Sequence, residues 1–264
     1  MLTSNPSPLP KYLKEDELSE ECKTLIPTLP TALGWVHTTL YKYQGFWHPL
    51  RQLQGVISCQ QHFQSQHKDI LLVTTPKSDT TWLKSILFTL INRTHLPPTQ
   101  QNHPLLSTNP HILLRLEQMG SNSLEQVFEK FCEGVSLYGP FWDHVLSYWH
   151  VSVKNPEKIC FLTYEEMKEE PEVHLRKLAE FLGCPFSKKE DGENMVEGIL
   201  DICSFDNLSN LEVSKEGKLP SGENNSAFFR KGEVDDWKNY MTIEMVERIK
   251  KICEEKLEGS GLKF

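Results

Sequence analysis

A chain of 264 residues is long enough to bury a sizeable core, and 38% hydrophobic with 24% charged residues is an ordinary globular composition. Its 28 basic and 36 acidic residues leave a formal charge of −8, which argues against general binding of nucleic acid or anionic membranes and requires any bound anion to be held locally. No apolar stretch approaches membrane-spanning length, and the seven cysteines (Cys22, Cys59, Cys132, Cys160, Cys184, Cys203, Cys253) never pair as C-x-x-C, so neither a disulfide framework nor a zinc site is supported.

The opening "MLTSNPSPLPKYLKEDELSEE" is Pro-rich and then acidic, unlike a signal or transit peptide, and points to a cytoplasmic protein. Pro6, Pro8, Pro10, Pro27 and Pro30 discourage regular structure and mark residues 1–30 as a flexible leader ahead of one domain over 31–264. "KDILLVTTP" is a continuous apolar run, the pattern of a strand buried on both faces in a parallel sheet. A short turn follows, and then Trp82, Leu83, Ile86, Leu87, Leu90 and Ile91 recur with helical spacing. A turn carrying Lys77, Ser78, Thr80 and Thr81 at the start of a helix suits an anion, because backbone N–H groups there carry partial positive charge. Against this, Asp79 places a negative charge in the turn and the G-x-x-x-x-G-K-[ST] spacing is absent, so a plain strand–helix turn stays open as the alternative.

Ser123 and Gln126 stand in capping-box spacing ahead of Leu124, Val127, Phe128, Phe131 and Cys132, which predicts a second helix. "EKICFLTYEEM" predicts another buried strand from Lys158 to Tyr164, and "PEVHLRKLAEFLGCP" a helix that starts at Pro171 and stops at Gly183 and Pro185. The stretch Gly217 to Lys238 lacks apolar periodicity and reads as a long loop. A last helix is capped by Thr242, runs through Ile243, Val246, Ile249 and Cys253, and stops at Gly259. Strand followed by helix, twice, predicts a single α/β domain with a parallel central sheet flanked by helices.

"PKSDTTWLK" resembles the 5′-phosphosulfate loop of the cytosolic sulfotransferases, P-K-S-G-T-T-W-L-K. The resemblance to the plant soluble, flavonol- and steroid-type branch continues in order through "YKYQGFWHP", "FCEGVSLYGPFWDHVLSYW", "LTYEEMKEEP", "RKLAEFLGCPF", "FFRKGEVDDWKN" and "KLEGSGLKF". It implies a P-loop-kinase-like fold and transfer of a sulfuryl group from 3′-phosphoadenosine 5′-phosphosulfate to a hydroxyl of a small metabolite, without a metal. By position it assigns Lys77, Ser78, Asp79 (through its backbone), Thr80, Thr81 and Trp82 to the phosphosulfate and the neighbouring adenine, with Lys77 stabilising charge on the leaving oxygen. It also assigns Tyr164 to the adenine and Arg230, Lys231 and Gly232 to the 3′-phosphate. Cys203, Ser204 and Phe205 fall where the family approaches the adenine. Lys238, Thr242, Ile243 and Glu247 match a homodimer motif, for which a capped helix start is the plainer alternative.

The chain departs from the family in three places. "NPHILLRLEQMGSN" runs directly into "SLEQVFEKFCEGV", without the T-H-x-P block whose histidine is the general base and the R-N-x-K-D-x-x-V-S block that binds the 3′-phosphate. Several dozen residues are missing there, sheet strands among them, and none of the ten histidines stands in a T-H-x-P context; His111, His144 and His150 read as surface or core residues. Asp79 and Asp235 each replace a family glycine. A carboxylate about 5 Å from a phosphate charge, at an effective dielectric near 20, is repelled by roughly 3 kcal/mol. Two readings therefore stand: a sulfotransferase, and a catalytically silent nucleotide-binding or dimerising remnant.

Overall fold

The computed structural model describes residues 18–34, 39–64, 66, 69–74, 79–110, 124–219 and 224–262. Its contacts divide the chain into two compact units: Met1–Thr75 with Met119–Ser147 and Arg248–Phe264, and Pro76–Gln118 with Tyr148–Glu247.

In the first unit, helix α1 (Glu20–Leu25) is capped by Ser19, whose hydroxyl accepts from the Cys22 N–H at 3.2 Å. The helix buries Cys22 completely against Leu53 and Ile57 of α2 (Leu50–His62), with Leu18, Leu25, Ile26 and Leu29 packed around them. Part of the stretch expected as a flexible leader is thus helical. Strands β1 (Thr31–Leu33), β2 (Thr39–Tyr43) and β3 (Phe46–Pro49) form an antiparallel sheet in that order. The β2–β3 turn is Gln44-Gly45 with φ of 50° and 94°, the left-handed pair that matches strand twist in a two-residue hairpin and sets Tyr43 opposite Phe46. Ahead of α5 (Phe141–Lys154), the Tyr138 N–H donates to Trp47 O and the Trp47 N–H donates to Gly139 O, each at 2.9 Å. Phe131 of α4 (Leu124–Cys132) then packs its ring edge on Trp142 at 5.1 Å. The expected cap of α4, Ser123, lies outside the described residues.

The second unit is helical. In α3 (Thr80–Asn92) the predicted face is buried at Ile86, Leu87 and Leu90, with Ile86 and Leu90 fully enclosed, while Trp82 and Leu83 are half-buried and Ile91 is exposed. Then come α6 (Tyr164–Glu169), α7 (Pro171–Phe181), α8 (Lys188–Gly192), α9 (Met195–Ile202), α10 (Phe205–Asn210) and α11 (Glu212–Lys215). Helix α9 packs against α3, α7 and α8 and contributes Val196 and Ile199 to the core, while Leu175 and Ala179 come from α7. As the sequence predicts, Pro171 opens α7 and Gly183, at φ of 69°, follows its end. Directly after α3, Arg93 enters this core. Its Nε donates to Glu190 Oε1 at 2.7 Å, Nη1 to Leu90 O at 2.9 Å, and Nη2 to Cys184 O and Pro185 O at 2.8 and 3.1 Å. The long loop carries two 3₁₀ turns, Asn225–Phe228 and Asp236–Asn239. Helix α12 (Ile243–Leu257) starts where expected, with the Thr242 hydroxyl accepting from Met245 N–H at 3.3 Å. No described helix is long and apolar enough to cross a membrane.

Neither expected parallel strand is formed among the described residues. Residues 69–74 carry no strand assignment and expose Ile70, Leu71 and Val73 by 51, 67 and 45%. Residues 158–163 carry none either. A parallel strand buried on both faces needs hydrogen-bonding neighbours. Among the described residues the sheet is the antiparallel one at Thr31–Pro49. Tyr164 is corrected from the end of a strand to the first residue of a helix. Thr163, with extended backbone, caps α6: its hydroxyl accepts from Glu166 N–H at 3.4 Å and donates to Glu166 Oε2 at 2.8 Å. A T-x-x-E signal thus outweighs the apolar run before it.

Candidate functional site

Three helix starts and one loop of the second unit converge on a cavity of about 190 Å3. Asp79, Thr81 and Trp82 come from the N-terminus of α3, and Tyr164, Met167 and Lys168 from α6. Cys203, Ser204 and Phe205 enter from the junction of α9 and α10, and Phe228, Phe229 and Gly232 from the long loop. The walls are mainly apolar, with Trp82, Tyr164, Phe205, Phe228 and Phe229 as their aromatic part. Trp82 meets Tyr164 edge to face at 6.0 Å and 82°, Phe205 meets Phe229 at 6.1 Å and 66°, and Lys168 Nζ stands 5.7 Å from the Trp82 ring centre.

The polar end is set by Asp79. Burial pushes its carboxyl above the usual carboxylate range, against the hydrogen bond from Tyr164 and the charges of Lys168 and Arg230. Burial, then the negative charge of Asp79 beside it, push the Tyr164 hydroxyl far above the usual phenol range. Asp79 precedes α3 in the left-handed region (φ 50°, ψ 38°) and its side chain makes no capping bond. Asp235 is left-handed as well (φ 66°, ψ 10°). The resemblance places a glycine at each of these positions, and both aspartates occupy the backbone region that costs most residues about 1–2 kcal/mol and that aspartate tolerates through local hydrogen bonding.

The Arg230-Lys231-Gly232 motif is divided in role. Arg230 Nη2 lies 2.9 Å from Asp236 Oδ2 and Lys231 Nζ 3.1 Å from Asp236 Oδ1, and both cations lie over the Tyr240 ring, at 5.6 and 5.9 Å. Burial pushes the Asp236 carboxyl up, but hydrogen bonds from Asn239 and Lys231 and the charge of Arg230 outweigh it and hold the group below the usual range. Gly232 has φ of 67°, and a Cβ there would stand 2.5 Å from Phe205 Cδ2. Its glycine is required by a ring of the cavity wall.

Of the residues assigned from sequence, Asp79, Thr81, Trp82, Tyr164, Cys203, Ser204, Phe205 and Gly232 meet in the cavity. Thr80 is buried in the first turn of α3, and Arg230 and Lys231 stand outside the lining, on Asp236. Lys77 and Ser78 lie outside the described residues. Sequence reasoning missed Lys168, which lies four residues after Tyr164 on the same helix face; the T-x-x-E cap was the signal that would have revealed it. In the expected dimer motif, Lys238 pairs with Asp235, Thr242 caps α12 and Ile243 is 74% exposed.

The sequence model of the sulfotransferase domain family matches residues 67–120 and 113–261, so the match divides at residues 113–120. Cytosolic sulfotransferase 5 of Arabidopsis thaliana is 41% identical over 319 aligned positions, covering 96% of this chain and 99% of the relative. Cytosolic sulfotransferase 12 of the same plant is 38% identical over 327 positions, covering 99% of each. Since 96% of 264 residues is about 253, about 66 of the first 319 positions have no counterpart in this chain. Among solved structures, an Arabidopsis thaliana protein described as a candidate steroid sulphotransferase is 32% identical, with TM-score 0.69 over 95% of this chain and 99% of its own. Retinol dehydratase, solved with androsterone and inactive cofactor PAP, shares the fold at 15% identity and TM-score 0.64, over 94% and 97% of the two chains. The two matched parts that meet near residue 113, together with these identities over nearly the full chain, show that the chain belongs to the sulfotransferase family and has its α/β, P-loop-kinase-like fold.

Proposed function

We propose that the aromatic cavity takes the adenosine part of 3′-phosphoadenosine 5′-phosphosulfate, as donor for sulfation of a hydroxyl on a small metabolite. The observation that carries the reading is convergence: blocks around residues 79–82, 164, 203–205 and 232, far apart in sequence, line one cavity. The aromatic edges of Trp82, Tyr164, Phe205 and Phe229 suit a purine ring. Lys77 and Ser78 would hold the phosphosulfate, and Arg230 and Lys231 the 3′-phosphate in exchange for part of their pairing with Asp236. When bound, the donor supplies the sulfuryl group, and Lys77 would stabilise charge on the departing oxygen. The cytoplasm is the compartment this reading takes from relatives named cytosolic.

A second reading, a silent nucleotide binder, is favoured by the lack of any T-H-x-P histidine and by the roughly 66 aligned positions without counterpart. Loss of a general base alone costs about 100- to 10,000-fold in rate. Titration with 3′-phosphoadenosine 5′-phosphate, run beside a turnover assay with the phosphosulfate and a phenol, separates the readings. Binding with turnover supports the transferase, binding without turnover supports the silent binder, and no binding at millimolar ligand refutes both.

The same proposal places a homodimer contact on Lys238, Thr242, Ile243 and Glu247, because Ile243 is the most exposed large apolar residue described. Light scattering on purified protein is expected to give a dimer mass, and Ile243→Asp a monomer. A monomer mass for the unsubstituted chain would remove the contact.

A further inference from the structure

We propose that Asp79 sets the cavity's selectivity for the 5′ end of its nucleoside, favouring a free 5′-hydroxyl, as in adenosine 3′-phosphate, over a 5′-phosphate or phosphosulfate. The inference rests on the nucleotide reading above and changes which adenine nucleotide the site prefers.

An aspartate ahead of a helix ordinarily turns its carboxylate onto the N–H groups of the first turn. Asp79 does not. Its left-handed backbone leaves the capping bond unmade, and Asp79 lines the cavity together with Tyr164. The start of α3, where the partial positive charge of the N–H groups would favour a bound anion, therefore already has a carboxylate of its own beside it.

The surrounding charges do not reverse this. Lys168 and Arg230 act on Asp79, but Arg230 is paired with the carboxylate of Asp236, and Glu165 and Glu233 add negative charge around Tyr164. One carboxylate about 5 Å from one phosphate charge lowers affinity by more than a hundredfold at an effective dielectric near 20. A 5′-hydroxyl carries no charge and can donate a hydrogen bond to the same carboxylate, so it escapes the penalty that a 5′-phosphate meets. Replacing Asp79 by asparagine keeps the shape and the tolerance of a left-handed backbone, removes the charge, and leaves Lys77 and every other group as they are.

The test is calorimetric titration of the full chain with adenosine 3′-monophosphate and with 3′-phosphoadenosine 5′-phosphate, at one ionic strength, for the unsubstituted protein, Asp79→Asn and Asp79→Gly. Far-UV circular dichroism confirms that each variant is folded. The unsubstituted chain is expected to bind adenosine 3′-monophosphate at least as tightly as the 5′-phosphorylated ligand. Both variants are expected to shift the ratio of affinities toward the 5′-phosphate by tenfold or more. An unchanged ratio across the three proteins overturns the role of Asp79 and leaves nucleotide binding standing. Failure of all three to bind either ligand overturns the nucleotide reading itself and this inference with it.

Discussion

Arg93→Ala is expected to lower the unfolding free energy by about 3–5 kcal/mol, the range for removing one partner of a buried ion pair. The Arg93 side chain is 5% exposed and that of Glu190 15%, and the guanidinium also serves three backbone carbonyls and lies 4.6 Å from the Phe186 ring centre. Those carbonyls belong to the end of α3 and to the turn after α7, so one side chain closes both. Truncation leaves Glu190 with its charge only half answered, since Ser187 still donates to it from the backbone at 2.8 Å. Thermal denaturation is the measurement, with a fall in Tm of about 10 °C expected for a chain of this length. The variant should also lose part of its acid dependence. Burial raises the Glu190 carboxyl, but Ser187 and Arg93 outweigh burial and hold it below its usual value. The ion pair's contribution is therefore fully present above the ordinary glutamate pKa and is lost as pH falls through the lowered one. If Arg93→Met with Glu190→Leu restores the stability, the loss in the single variant came from the stranded charge. A Tm within 2 °C of the unsubstituted chain in Arg93→Ala would refute the structural role.

The second large effect is expected at Gly232. Alanine there must adopt φ of 67° and place its Cβ 2.5 Å from the ring of Phe205, so both backbone strain and overpacking act, together about 2–5 kcal/mol. Gly183 provides the comparison, because it has nearly the same φ, 69°, and nothing within 4 Å of an added Cβ. Gly183→Ala should cost about 1–2 kcal/mol, the strain alone. The excess at Gly232 measures the contact with Phe205, and because Phe205 is a wall of the cavity, nucleotide affinity should fall with it only in the Gly232 variant. Equal losses in the two variants would mean that Phe205 moves aside freely.

Helix starts and stops were legible in the sequence because they are local. Pro171, Gly183 and Thr242 act within a turn of their own positions, and the structure places the helices accordingly. The convergence of residues 79–82, 164, 203–205 and 232 was not legible from spacing, since nothing in the periodicity brings such distant blocks together; the family resemblance supplied it. The strands failed for the opposite reason. "DILLV" has a strand's composition, but a strand is completed by its neighbours, and composition at one place says nothing of residues absent from another. Tyr164 was misread because the apolar run before it was weighed above the Thr163–Glu166 cap, and Lys168 was lost with it.

The exposed run at Ile70, Leu71 and Val73 bears on how the protein behaves at high concentration. An uncharged, β-prone segment without a sheet is the kind of sequence that stacks with copies of itself. Here it is bracketed in sequence by Lys68 and Asp69 on one side and by Pro76 and Lys77 on the other. Charges and a proline at the margins are gatekeepers: each stacked copy would bring like charges into register and meet a residue unable to donate to the next ladder. Those four flanking residues therefore guard this segment against stacking, and salt, which screens three of them, should weaken that guard.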